Sequence, residues 1–246
     1  EKAGKPVVIN FIGADPQSIK GANLYGVPTL EAAAAVAIEL ESGQHPKIVH
    51  ATLQSEYQQL VSGLVKRVSP GQKYIRGLFS GGTFCFESLH LLGQKLGPIY
   101  SNIPINPEWK LDNVWQSKQH TSIDLGDDLF TQGRPHPMID FRLRNERLLQ
   151  EARDPETAIL LLDIVLVYGS NMDPAAEIVP VIHQAQEMAA QRGSKLVFIT
   201  SVCGTEGDPQ NLSRQENELR AAGVVLTESN AQSALLAAEV IKQYQG

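Results

Sequence analysis

The sequence predicts an α/β fold, a flavodoxin-like doubly wound parallel sheet preceded by part of a second, related module. Three observations carry this. From residue 73 onward, apolar runs of strand length alternate with helix-like stretches five times over, the pattern of a parallel sheet covered on both faces and joined by right-handed crossovers. The run "TAILLLDIVLVYG" at 157–169 is apolar without alternation, as a central strand buried on both faces must be. The phrase "KPVVINFIGADPQ" at 5–17 returns as "KLVFITSVCGTEGDPQ" at 195–210. Each copy is a lysine, an apolar run, a break at small residues and Asp-Pro-Gln.

The elements follow in order. Residues 5–12 read as a strand with Pro6 at its first position, a place where the missing N–H does no harm. After a loop at Gly13–Gly21, Thr29 is an N-cap and the Ala-rich run to Leu40 a helix ending before Gly43. Residues 43–47 read as a linker and 49–68 as holding a helix that stops at "SPGQ". Tyr74–Phe79 is a strand, Ser80–Gly81–Gly82 a tight turn, and Thr83 to Gly97 a helix. Residues 98–120 are rich in Pro and Asn and long for a simple connection, so a short strand pair or a partner-facing insertion is expected. "TSIDLG" at 121–126 is a short strand, and 127–140 a polar loop. The helix from 142 is amphipathic, with Leu143, Leu148 and Leu149 facing inward, and stops at Asp154–Pro155. Beyond strand 157–169 come a helix at 173–193, kinked or opened by Pro180, a strand at 195–202, a helix at 211–223, a strand at 224–227 and a helix at 230–245. The expected organisation is thus 1–45 as the tail of a first module, 46–72 as linker and helix, and 73–246 as a complete module.

Composition narrows the function. Hydrophobic residues make up 42% and charged residues 20%, ordinary for a chain with a real core. A formal charge of −6 argues against nucleic acid or an anionic membrane as partner. No apolar run reaches membrane-spanning length, and no secretory signal leads the chain. Cys85 and Cys203 lie far apart and read as reduced thiols in a cytoplasmic protein, with one disulfide as the lesser alternative.

In doubly wound folds, ligands sit beyond the carboxyl ends of the strands. Gly81, Gly82 and Thr83 open a helix at such an end, so they are anion-binding candidates, or simply a connection. His136 lies between Pro135 and Pro137, which would pre-organise an acid or base; the plainer reading is a loop held by Arg134 and Asp140. Asp127 and Asp128 could bind a cation or a substrate amide, or cap the loop. Asp163 interrupts an apolar run and requires a partner, structural or catalytic. Cys203, Gly204 and Thr205 fall at the predicted site edge. The other histidines, 45, 50, 90, 120 and 183, show no metal-ligand spacing, so no metal site is assigned. The Gly-rich turn also lacks the lysine of a nucleotide-binding P-loop.

At "SGGTFCFE", "GDDLFTQGRPHPMID" and "RDPETAILLLDIVLVYG" the chain resembles the acyl-CoA-synthetase-like FdrA-type proteins, relatives of the succinyl-CoA ligase α subunit and ATP-citrate lyase. The resemblance covers nearly the whole chain. It implies that these residues are the carboxyl-terminal, ligase-like portion of a protein whose CoA-binding domain lies upstream. CoA or a nucleotide would then bind only with that domain or a partner subunit. It implies a small anionic substrate, a partner protein and an oligomer. In the ligase, a Ser-Gly-Thr turn presents a helix amino terminus to the active-site phosphate; here Gly81, Gly82, Thr83 and Glu87 match that stretch, with Gly81 in place of the serine. The ligase also phosphorylates a histidine in the loop after its fourth strand. Neither "SVCGTEGDPQNLSRQENELRAAGV" nor "GADPQSIKGANLYGV" contains one. Asp163 is the acidic residue nearest the glutamate that supports that histidine. The resemblance therefore implies an enzyme component acting on a small carboxylate, acyl phosphate or carbamoyl phosphate without a phosphohistidine, as in an oxamate carbamoyltransferase of allantoin and purine breakdown. The alternative is a non-catalytic scaffold or regulatory subunit that meets its partner through the Trp109–Trp115 insertion.

Overall fold

The computed structural model describes residues 4–46, 48 and 51–246. Residues 47, 49 and 50, which fall in the expected linker and at the start of the expected second helix, lie outside the described residues. The chain divides into two units, Glu1–Leu53 and Gln54–Gly246.

In the first unit, β1 (Val7–Ile9) pairs in parallel with β2 (Leu24–Gly26), Val7 opposite Leu24. One 3₁₀ turn, Pro16–Ser18, lies between them, with the Asp15 carboxylate accepting from Gln17 N. Helix α1 (Leu30–Glu41) begins where expected: Thr29 Oγ1 accepts from Ala32 N at 3.1 Å. Two expectations change. The first strand is shorter than 5–12, leaving Phe11 63% exposed. The segment Leu24–Gly26, read as loop, is a strand too short to show an apolar run.

The second unit begins with α2 (Ser55–Val65), followed by β3 (Tyr74–Phe79), α3 (Gly82–Leu96), β4 (Thr121–Asp124), α4 (Asp128–Thr131) and α5 (Arg142–Arg153). It continues with β5 (Thr157–Val165), α6 (Pro174–Ala190), β6 (Val197–Cys203), α7 (Leu212–Ala221), β7 (Val225–Thr227) and α8 (Asn230–Gln245). All five strands are parallel, in the order β4-β3-β5-β6-β7, the flavodoxin-like order anticipated from the alternation. Helices α3 and α8 pack together on one face with α2 over α8, while α5, α6 and α7 cover the other. β5 lies in the middle and is buried from Thr157 to Ile164.

Three local readings are corrected. The 98–120 segment holds no strand pair of its own; it carries isolated bridges from Tyr100 to Thr121 and Ser101 to Lys110, and a 3₁₀ turn at Pro107–Trp109. β5 ends at Val165, so Val167 and Tyr168 stand in solvent, 46% and 89% exposed. The buried residues of α5 are not mainly its leucines but Arg144, Arg147, Leu148, Glu151 and Ala152. These buried charges are paired within α5 and with groups from neighbouring elements. Arg76 of β3 donates to Glu151 at 3.0 Å and to Asp154 at 2.7 Å. Arg147 donates to Glu151, to Val114 O and to Ser117 Oγ. Burying such a pair costs desolvation that the mutual attraction and added hydrogen bonds offset, whereas a lone buried charge has nothing to offset it. Among the described residues no helix is long and apolar enough to cross a membrane.

Candidate functional site

The chain reverses direction across the sheet between β3 and β5, stepping from β3 out to β4 before crossing to β5. Crevices form at such switch points, beyond the carboxyl ends of the strands. A cleft of about 360 Å³ opens there. The end of each of four neighbouring strands contributes to its wall: Ser80 after β3, Asp124 at the end of β4, Val165 of β5 and Cys203 of β6. Gly81 at the N-cap of α3, Gly82, Thr83 and Phe84 from its first turn, Gly126 after β4, and His136 and Met138 from the 127–140 loop complete it.

Beneath the cleft lies Asp163, which is fully buried. Its Oδ1 accepts from Ser80 N at 2.7 Å, and its Oδ2 accepts from Ser80 Oγ at 2.9 Å and Gly81 N at 3.0 Å. Arg144 stands behind it, with NH1 donating to the Asp163 carbonyl at 2.7 Å and lying 3.5 Å from Oδ1. Its guanidinium lies over the Phe141 ring at 3.9 Å. Burial pushes the Asp163 carboxyl above the usual range, while Arg144 and the Ser80 and Gly81 donors pull it back. Asp163 thus clamps the turn between β3 and α3 from beneath and does not line the cleft.

The clamp leaves the amino terminus of α3 uncapped. Its N-cap, Gly81, has no side chain to accept a hydrogen bond. The first bond from the new helix is Cys85 N to Gly81 O, so the N–H groups of Gly82, Thr83 and Phe84 have no acceptor among the described residues. Such a terminus attracts an anion by its free donors and by the helix dipole. A Cβ at Gly82 would lie 2.7 Å from Asp124 Oδ2, so a side chain there would displace that carboxylate. Gly126 has less room still, since its Cβ would meet His136 Nε2 at 2.7 Å and the Ser80 backbone carbonyl at 2.9 Å. His136 Nδ1 accepts from Met138 N at 3.2 Å, which turns Nε2 toward the Gly126 side of the cleft.

The structure therefore brings together Gly81, Gly82, Thr83, His136 and Cys203 of the anticipated residues. Asp128 is exposed on α4, and Asp127 caps that helix through Leu129 N. Arg134 and Asp140 line a separate cleft of about 320 Å³, where Asp140 pairs with Arg142. Thr205 donates to Asp208, and Gly204 packs on Leu166; neither lines the main cleft. Both cysteines are free. Although Cys203 is exposed as a residue, partial burial of its thiol and the Asp163 and Asp208 charges push it up, the reverse of an activated nucleophile. The two tryptophans are not both exposed. Trp109 is half-buried, with its ring 4.0 Å from where a Gly93 Cβ would lie, and Trp115 meets the Phe130 edge at 5.1 Å while 44% exposed. Phe84, Asp124, Gly126, Met138 and Val165 of the cleft, and Arg144 behind it, escaped the sequence reading. Asp124 ends a strand, as expected of a site residue in this fold, and that position was its available signal.

Comparison with known proteins gives the chain its family. The protein YahF of Escherichia coli (strain K12), itself described as uncharacterized, is 40% identical over 237 residues, which are 96% of this chain and 45% of YahF. The chain thus spans under half the length of that relative. The solved structure of PH0766 from Pyrococcus horikoshii OT3 matches with a TM-score of 0.46 at 12% identity, over 90% of this chain and 46% of that one, too slight a likeness to carry an argument. The CoA-ligase family matches residues 78–240, from the end of β3 into α8 and so across the whole cleft. With most of its length inside that match, the chain belongs to the CoA-ligase family.

Proposed function

We propose that the chain is the ligase-like component of an acyl-transferring enzyme and seats a small anionic group, such as an acyl or carbamoyl phosphate, on the amino terminus of α3. The observation that carries this is the set of free N–H groups at Gly82, Thr83 and Phe84, opening into a cleft at the switch point. His136 faces the same cleft and is the group placed to exchange a proton or steady developing charge. The loop after β6 has no histidine, so transfer runs directly between bound ligands, without a phosphohistidine relay. The resemblance to FdrA-type proteins supports the finer version, a carbamoyl transfer in oxamate, allantoin or purine breakdown. Ile139 and Met172, 53% and 60% exposed, sit on two loops joined by the bond from Asn171 N to Met138 O. This supports closure of the mouth by a partner subunit or an upstream CoA-binding domain, with CoA or a nucleotide entering on that side.

Titration calorimetry with inorganic phosphate, acetyl phosphate, carbamoyl phosphate, ADP and CoA tests this. The expected result is binding of at least one phosphate compound, weakened at least about tenfold by Gly82→Asp. His136→Ala is expected to keep that binding within a few-fold and slow transfer by about 100-fold or more. If no phosphate compound binds but a partner protein forms a stable complex, the chain is a scaffold that kept the fold and lost the chemistry.

A further inference from the structure

Asp124 raises a difficulty that the anion reading must meet. The residue is 8% exposed, and its carboxylate stands against the helix terminus: Oδ2 lies 2.7 Å from the place of a Gly82 Cβ. Oδ1 is accounted for, accepting from Gly126 N at 2.9 Å. The backbone is held as well, with Asn102 accepting from its N–H and donating to its carbonyl, both at 3.0 Å. Oδ2 has no donor among the described residues and belongs to the cleft wall. That oxygen is open to the cleft while the rest of the carboxylate is buried and fixed, so whatever fills the cleft, water or ligand, meets it directly.

The charged groups around Asp124 set what that ligand finds. Asp163 on β5 and Asp127 at the start of α4 add negative charge, His136 on the 127–140 loop opposes it, and the Cys85 thiol on α3 feels the Asp124 charge. No lysine or arginine pairs with Asp124 among the described residues. An ionised Asp124 would set its charge against any anion on the Gly82, Thr83 and Phe84 N–H groups. A protonated Asp124 would instead donate to it.

We propose that Asp124 is a ligand of the bound group and enters the complex protonated, its Oδ2–H donating to an anionic oxygen seated on α3, so that binding takes up one proton. This rests on the anion reading of the cleft. Burial first, with the Asp127 and Asp163 charges, raises the free carboxyl above its ordinary range against the Gly126 N–H bond and His136, which lower it; that direction favours the uptake. The proton needs no outside donor beyond solvent, and it leaves with the ligand. The direction of linkage follows. Affinity is full where Asp124 is already protonated and falls as pH rises through its pKa, by about tenfold per pH unit above it. The site would thereby discriminate: a ligand oxygen that accepts a hydrogen bond is favoured, and one whose neighbour atom forces Asp124 to ionise is not.

The test uses sulfate, an anion that does not itself titrate between about pH 5 and pH 8, with calorimetry in two buffers of different ionisation heat. Imidazoles as a class titrate in that window, so His136→Gln is the control. For the unaltered chain the expectation is tighter sulfate binding at pH 5 than at pH 8, with uptake of close to one proton. Asp124→Asn keeps a donor without the charge; its affinity should not fall from pH 5 to pH 8, and at pH 8 it should bind at least about tenfold more tightly than the unaltered chain. His136→Gln should retain the proton uptake. The proposal is overturned if affinity is independent of pH, if Asp124→Asn binds more weakly at pH 8, or if His136→Gln abolishes the linkage. In each of those cases the anion site itself still stands. If sulfate and inorganic phosphate both fail to bind at any pH, the anion reading falls and this proposal with it.

Discussion

Single residues in this protein act mainly through what surrounds them. Asp163 was legible as a residue in need of a partner because a carboxylate inside an apolar strand cannot be left alone. That its partners would be the Ser80 and Gly81 N–H groups, with Arg144 behind, was not, because the β3–α3 turn and α5 lie at different places in the sequence. Asp124 shows the same limit: "TSID" contains nothing that distinguishes a solvated strand end from a buried carboxylate facing a helix terminus. His120 supplies a prediction at this scale. It is 9% exposed, its Nδ1 accepts from Ile75 N at 3.2 Å, and burial first, then the Arg76 charge, lower its pKa from 6.5 to about 4. The unfolded chain therefore binds a proton that the folded chain refuses over that interval. The His120 contribution is complete above about pH 6.5 and is lost as pH falls toward 4, by up to about 3 kcal/mol. Urea denaturation at pH 7 and pH 4.5 checks it: His120→Gln should lose less stability on acidification than the unaltered chain does. An equal loss in both would show that His120 does not titrate with folding.

Elements were read well where one signal dominated. Unbroken burial made β5 plain, and the threonine before an Ala-rich run marked the start of α1. β2 was hidden because three residues, "LYG", are too few for any period to show. The buried face of α5 was misread because periodicity counts apolar residues, and this face is built from charges that become affordable only once β3 and the 98–120 insertion supply partners. Glu151 is the centre of that arrangement, accepting from Arg76, Arg147 and Ser117 while 2% exposed. Replacing it with Gln removes the negative charge that two buried guanidinium groups share. Glu151→Gln should lower unfolding free energy by about 3 kcal/mol or more in denaturant titration. A loss below about 1 kcal/mol would mean that water already satisfies these arginines.

For the whole molecule, topology was the most legible property, because alternating strands and helices with short connections leave few arrangements to choose from. The position of the cleft followed from topology, since the switch point lies where the strand order reverses. Its contents followed only in part. Gly81, Gly82, Thr83, His136 and Cys203 meet there, while Arg134 and Asp140 belong to another cleft, because nothing in a loop sequence says which side of the loop faces inward. The absence of a histidine after β6 matters at this scale too: the fold of a ligase is present, and the relay residue of the succinyl-CoA ligase is not in that loop. The central claim is that the uncapped start of α3 holds an anion, and backbone amide NMR during titration with inorganic phosphate tests it most directly. Saturable shifts centred on the Gly82, Thr83 and Phe84 amides, lost in Gly82→Asp, are the predicted result. Shifts that leave those three amides unmoved while others respond would contradict it.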